Sequence, residues 1–104
     1  MKENEEMTLE EKFNLMCEAL SISPERIIDG DITRYVSLRR NCIIHQLYAY
    51  KNHGLPELIG RTKVLIMKAH ERFQGELDMK DMTAVEFVRL IDERLQKYID
   101  GKED

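Results

Sequence analysis

Apolar residues recur every three or four positions along most of the chain, and this spacing constrains the fold more than any other feature. The clearest example is the C-terminal segment, whose apolar positions are Ala84, Val88, Ile91, Leu95 and Tyr98. This period aligns them along one face of an α-helix. No stretch of useful length alternates apolar and polar residues as a half-buried strand would. The sequence therefore predicts an all-α fold, a small helical domain of about six helices, two of them very short.

Capping and terminating residues predict where these helices begin and end. Thr8 and Thr83 each stand three residues before a Glu, which is the pattern of a capping box at a helix start. Glycines mark the expected ends of four helices, at Gly54, Gly60, Gly75 and Gly101. The predicted helices span 8–20, 24–28, 33–52, 55–59, 62–75 and 83–100.

Length and composition set limits on the class of protein. A chain of 104 residues fits a single domain over 1–104, and 42% hydrophobic with 35% charged residues is ordinary for a helix-rich one. No apolar run approaches the ~20 residues of a membrane span, and the acidic N-terminus is unlike a signal peptide. We therefore expect a cytoplasmic protein with no membrane partner. Cys17 and Cys42 are expected to be free, buried thiols, with a single disulfide as the less favoured alternative.

Charge is segregated along the chain. Residues 34–72 contain eight Lys or Arg and two Glu, a net charge of +6. Residues 1–33 carry −6 and residues 73–104 carry −4, so the overall −4 conceals a basic middle. Such a block suits a polyanion, although charge alone does not select a sequence. The alternative is a solvated surface on which charges happen to cluster.

Residues 55–73 have the layout of a helix-turn-helix: a short helix, a tight turn at Gly60-Arg61 and a second helix with exposed basic positions. The side chains expected to reach base edges are Thr62, Lys63, Met67 and Lys68. In this register Ile66, Ala69 and Phe73 face the core, whereas Lys63, Lys68 and His70 point outward. An ordinary corner between two helices of a small bundle is the alternative interpretation.

Several short segments within about residues 17–73 resemble the motifs of a known family and occur in the same order along the chain. They are Ile-Ser-Pro-Glu-Arg-Ile-Ile at 22–28, Arg34, Arg-Arg-Asn at 39–41, Leu-Pro-Glu at 55–57, Ile-Gly-Arg at 59–61, Ile66 and Ala69. Together they resemble the C-terminal DNA-binding domain of the bacterial replication initiator DnaA. The resemblance implies a TrpR-like helix-turn-helix fold and a surface that faces double-stranded DNA.

The resemblance also implies roles for particular residues. Arg40 matches the family's long-helix Arg that grips phosphate, and Arg61 matches the Arg before the recognition helix. Lys63 and Lys68 fall where the family places the two His of its motif. The residues expected to contact DNA are Arg34, Arg40, Arg61, Thr62, Lys63, Lys68 and His70.

Two departures limit what the resemblance implies. The family's Asp-His-Thr-Thr box is replaced by Thr-Lys-Val-Leu at 62–65, and about four residues before that box are missing. Recognition of the initiator's own binding sequence is therefore not implied. The chain also has no Gly-x-x-x-x-Gly-Lys-Ser/Thr loop for ATP.

Enzyme and metal-site patterns are weak in this sequence. Cys42 and His45 lie three residues apart on a helix, but two ligands without a second pair are a poor metal signature. We expect no catalytic residues, no metal and no cofactor. Two functions remain open: a DNA-binding regulator of replication or transcription, such as a phage or mobile-element protein, and a helical protein-interaction module. The second would use the acidic helices 8–20 and 83–100.

Overall fold

The structure is a computed structural model that describes residues 7–50 and 53–103. Within these ranges the chain forms six α-helices and no strand, which confirms the all-α prediction. In chain order the helices are α1 (Leu9–Ala19), α2 (Pro24–Ile28), α3 (Arg34–Tyr50), α4 (Leu55–Ile59), α5 (Lys63–Asp78) and α6 (Met82–Glu103).

Local signals place most of the helix starts. The Thr8 hydroxyl accepts a hydrogen bond from the Glu11 amide at 3.0 Å, and the Thr8 amide donates to Glu11 Oε1 at 2.9 Å, so the predicted capping box is present. The two short helices α2 and α4 each carry a proline in the first turn, where its missing N–H costs nothing. The long helix α3 lies within the predicted span 33–52, of which residues 51–52 are outside the described residues.

The predicted start of the last helix at Thr83 was wrong. Helix α6 begins one residue earlier, at Met82. The Ala84 amide donates to Asp81 Oδ1 at 3.0 Å, so Asp81 is the capping residue and Thr83 lies exposed in the first turn. Asp and Thr are both good N-caps, and the sequence pattern alone did not separate them.

Two predicted helix ends were also wrong. Helix α5 continues through Gly75 to Asp78, and α6 continues through Gly101 to Glu103. Neither glycine adopts a positive φ; the turn after α5 instead uses Lys80, at φ 57°. A glycine inside a helix costs only about 1 kcal/mol, which packing of the helix can outweigh.

Helix α3 lies at the centre and packs against all five other helices. The core is formed by residues from every helix, including Phe13, Met16, Ile27, Val36, Ile43, Leu47, Ile59, Ile66, Phe73 and Ile91. Burial of Ile66 and Phe73 confirms the predicted inner face of α5, and Ala69 packs half-buried beside them. None of the described helices combines the length and apolarity needed to cross a bilayer.

Both cysteines are buried and free, as expected from the sequence. Burial raises the pKa of the Cys17 thiol to about 12, with a smaller contribution from Glu25. Burial likewise raises the pKa of Cys42 to about 12. Both thiols are therefore protonated at neutral pH and serve as small apolar groups of the core.

Candidate functional site

Helices α4 and α5 form the helix-turn-helix arrangement, joined by the turn at 60–62. Gly60 adopts φ 77°, a left-handed conformation that favours glycine, and its amide closes α4 on the Pro56 carbonyl at 2.8 Å. The Thr62 hydroxyl then caps α5 by accepting from the Leu65 amide at 3.2 Å. Because Leu55 and Ile59 are fully buried, α4 is fastened to the core and holds the start of α5 in place.

Arg61 fastens this turn to the end of α2. Its guanidinium donates to the carbonyls of Ile28 at 3.0 Å and Asp29 at 2.9 Å. The last carbonyls of a helix have no partner within the helix, so an arginine is well suited to satisfy them. Arg61 is thus largely occupied by the protein's own backbone.

Arg40 was predicted to grip phosphate, and the structure corrects this. Its side chain is only 8% exposed. Nε donates to the Ile27 carbonyl at 2.8 Å, and Nη2 donates to the carbonyls of Asp29 and Asp31 at 3.1 and 2.8 Å. Burial lowers the pKa of Arg40, followed by repulsion from Arg61. Arg40 therefore holds the chain after α2 against α3 and does not present its charge to a ligand.

Arg39 is a third basic residue engaged inside the protein. Its guanidinium lies 3.7 Å from the Tyr35 ring centre and 4.9 Å from that of Phe87. It also donates to the Leu20 carbonyl at 3.1 Å. Among the described Lys and Arg residues of the basic block 34–72, four are exposed: Arg34, Lys63, Lys68 and Arg72.

Lys63 and Lys68 are exposed on α5, as predicted from the register of its buried residues. Met67, expected from the sequence to reach base edges, is 44% exposed beside them. Sequence reasoning missed two further exposed apolar side chains, Val64 and Leu65, with exposed fractions of 60% and 50%. The signal that would have found them is the same register, since Ile66 and Phe73 already supply the inner face. The start of α5 thus presents a mixed basic and apolar surface.

His70 does not point outward, which corrects its predicted place among the DNA-contacting residues. It is half-buried and stacks on Tyr48 at 4.4 Å and on His45 at 4.7 Å, centre to centre. Within the described part of the chain, its buried Nδ1 has no hydrogen-bond partner. Burial lowers the pKa of His70, and the neighbouring His45 lowers it further. His70 is a packing residue between α5 and α3.

Arg34 is exposed, but the structure does not bring it near Lys63. It lines a small cavity of about 50 Å³ together with Glu76 and Asp81. Glu76 is 13 residues beyond Lys63 on α5, which corresponds to about 20 Å along the helix. Arg34 therefore belongs to a different part of the surface, where two carboxylates lie close by.

A groove of about 600 Å³ adjoins the start of α5. Its lining residues come from the end of α3, the following loop, α4 and α5, and they are Tyr48, His53, Gly54, Pro56, Glu57, Lys63, Ile66 and Met67. The groove extends the exposed apolar surface towards α4.

The described residues contain no group of three or more His, Cys, Asp or Glu arranged to hold a metal ion. Comparison of the chain with protein-family models, with curated proteins and with solved structures gave no significant match. The resemblance to the DnaA DNA-binding domain accordingly stands on the residues quoted for it.

Proposed function

We propose that this protein is a cytoplasmic double-stranded DNA-binding protein that places the start of α5 in the major groove. The observation that carries the proposal is the exposure of both Lys63 and Lys68 on a helix held in place by α4. The major groove is about 12 Å wide and admits one α-helix. Regulation of replication or transcription is the process such a domain would serve.

The helix-turn-helix geometry supports this proposal because it supplies rigidity. Buried Leu55 and Ile59 anchor α4, and Arg61 ties the turn to α2. Helix α5 therefore keeps one orientation relative to the core. A helix that reads DNA requires such support, because ordering a mobile helix on binding would cost conformational entropy and weaken the affinity.

The electrostatics predict modest affinity. Of the described residues in this region, three exposed cations follow each other along α5, namely Lys63, Lys68 and Arg72. Each phosphate contact contributes a slope of about −0.9 to the dependence of log affinity on log salt, so three contacts give about −2 to −3. The net charge of −4 opposes binding at long range.

Fluorescence anisotropy of a labelled duplex, measured with the full chain between about 20 and 200 mM salt, tests the proposal. The double charge reversal Lys63→Glu and Lys68→Glu is expected to abolish binding. The matched control is Lys80→Glu with Lys97→Glu, which changes the net charge equally at exposed positions on another part of the surface. Equal loss in both variants, or no binding by the wild-type protein at the lowest salt, would contradict the proposal.

A protein-interaction module is the second candidate, and a specific observation favours it. Val64, Leu65 and Met67 are exposed next to the groove on α5, where a partner could cover them. The acidic helices α1 and α6, the interaction surfaces expected from the sequence, pack against each other, and Arg94 pairs with Glu18 at 2.8 Å. Absence of duplex binding in the anisotropy experiment would favour this candidate.

A further inference from the structure

We infer that Val64 and Met67 read thymine methyl groups, so that the preferred duplex is rich in A·T pairs. This inference rests on the proposed function and names the base feature that the same helix recognises. Val64 and Met67 are the two most central exposed apolar side chains on the DNA-facing surface of α5, with exposed fractions of 60% and 44%.

The arrangement of side chains on α5 places these two residues between the lysines. Residues three or four apart on a helix are neighbours. Lys63 therefore adjoins Met67, Met67 adjoins Val64, and Val64 adjoins Lys68. Two cations flank an apolar centre across the helix surface.

This order of charge and apolar groups matches the major groove. Negatively charged phosphates line its two edges, and the methyl group of thymine is the apolar feature of its floor. A helix lying in the groove brings its flanking lysines to the phosphates and its central side chains to the floor. Removal of apolar surface from water then favours contact with thymine.

The residue types at the start of α5 point in the same direction. Residues 62–68 contain no Arg, Asn or Gln to form paired hydrogen bonds with guanine or adenine. The two lysines, which can also bond guanine, lie at the flanks of this surface, where the phosphates are expected. The Thr62 hydroxyl already accepts a hydrogen bond from the Leu65 amide. Apolar contact is thus the main means of base discrimination at this surface.

The apolar part of this surface ends after two turns of the helix. Glu71 is exposed three residues beyond Lys68, and its carboxylate repels phosphate. The two lysines and the apolar side chains between them suit an anionic molecule with apolar groups opposite Val64 and Met67. Charge complementarity at the two lysines favours duplex DNA over a protein partner.

Four duplexes of equal length test the inference with the full-length protein. They are alternating A·T, the same duplex with uracil replacing thymine, alternating G·C, and that duplex with 5-methylcytosine. Uracil removes the major-groove methyl, whereas 5-methylcytosine adds one. We expect the thymine duplex to bind about three- to ten-fold more tightly than the uracil duplex, as for burial of one or two methyl groups. Methylation should tighten binding of the G·C duplex.

The double substitution Val64→Ser and Met67→Ser should reduce the preference for thymine over uracil to about one-fold, because it removes the apolar contacts. Met82→Ser with Val85→Ser is the matched control. It changes one Met and one Val, three residues apart and exposed on α6, and should leave the preference unchanged. Thermal unfolding of each variant checks that the fold is retained.

The outcomes separate this inference from the proposed function. Binding that is equally tight to thymine and uracil duplexes overturns the methyl contact and leaves DNA binding standing. A preference that persists in the Val64→Ser and Met67→Ser protein also overturns it. A wild-type protein that binds none of the four duplexes overturns both conclusions and leaves the protein-interaction module.

Discussion

The backbone carbonyl of Asp29 accepts hydrogen bonds from both Arg40, at 3.1 Å, and Arg61, at 2.9 Å. One arginine belongs to α3 and the other to the turn before α5. The end of α2 therefore joins the central helix to the helix-turn-helix. Two residues that were expected to contact DNA instead set the position of the helices around the candidate site.

Substitution of Arg40 should destabilise the protein. Arg40→Ala leaves the Ile27 and Asp31 carbonyls without their donor and is expected to lower the free energy of unfolding by about 2–4 kcal/mol. Urea denaturation measures this change. Arg34→Ala, at an exposed position, is the control and should change stability by less than about 0.5 kcal/mol.

The same substitution also tests where the phosphate contacts lie. Under conditions in which Arg40→Ala remains folded, the salt slope of duplex binding should match that of the wild-type protein, because the buried guanidinium touches no phosphate. A slope reduced by about one unit would mean that Arg40 does contact DNA.

The cap of α6 provides a second stability test. Asp81→Ala should lower the free energy of unfolding by about 0.5–2 kcal/mol, since it removes the acceptor for the Ala84 amide. Thr83→Ala should have little effect, because Thr83 is exposed inside the first turn. The reverse ranking in thermal or urea unfolding would restore Thr83 as the helix start.

The lowered pKa of His70 leads us to expect that the stability of the protein depends on pH. Its pKa is lowered from 6.5 in the folded protein, first by burial and then by His45, while Glu71 acts in the opposite direction. Below about pH 6.5 the unfolded chain binds a proton that the folded protein resists. Stability should therefore fall as the pH decreases through this region and change little above it.

Urea unfolding between pH 7.5 and 5.5 measures this effect. His70→Phe keeps an aromatic ring between His45 and Tyr48 and should flatten the pH dependence. His53→Gln, at an exposed position, should leave it unchanged. An unaltered pH profile in the His70→Phe protein would show that another group is responsible.

Removal of the Glu71 carboxylate should strengthen DNA binding. Glu71 is exposed on α5 beyond Lys68, so Glu71→Gln is expected to tighten duplex binding about two- to five-fold at low salt through reduced repulsion. Asp92→Asn makes the same change of charge at an exposed position of α6 and should have a smaller effect. Equal effects would indicate that only the net charge matters.

The local features of the fold could be predicted from the sequence. The capping box at Thr8 and the left-handed glycines at 54 and 60 depend on hydrogen bonds and backbone angles within a few residues. The exposure of Lys63 and Lys68 could also be predicted, because buried Ile66 and Phe73 determine which side of α5 faces outward. These parts of the candidate site follow from helical periodicity alone.

Tertiary structure decided the rest. Arg40 and Arg61 belong to a basic block, yet most of their hydrogen bonds go to carbonyls 9 to 33 residues away in sequence. Only the packing of α2 against α3 and the turn brings these groups together. His70 was assigned to the surface, but stacking on Tyr48 and His45 turns it inward. A charge pattern states how many cations a segment carries. Which of these cations remain exposed to solvent depends on the tertiary structure. A buried backbone carbonyl without a partner in its own helix takes up the N–H groups of an arginine, and that arginine is then not available to water or phosphate.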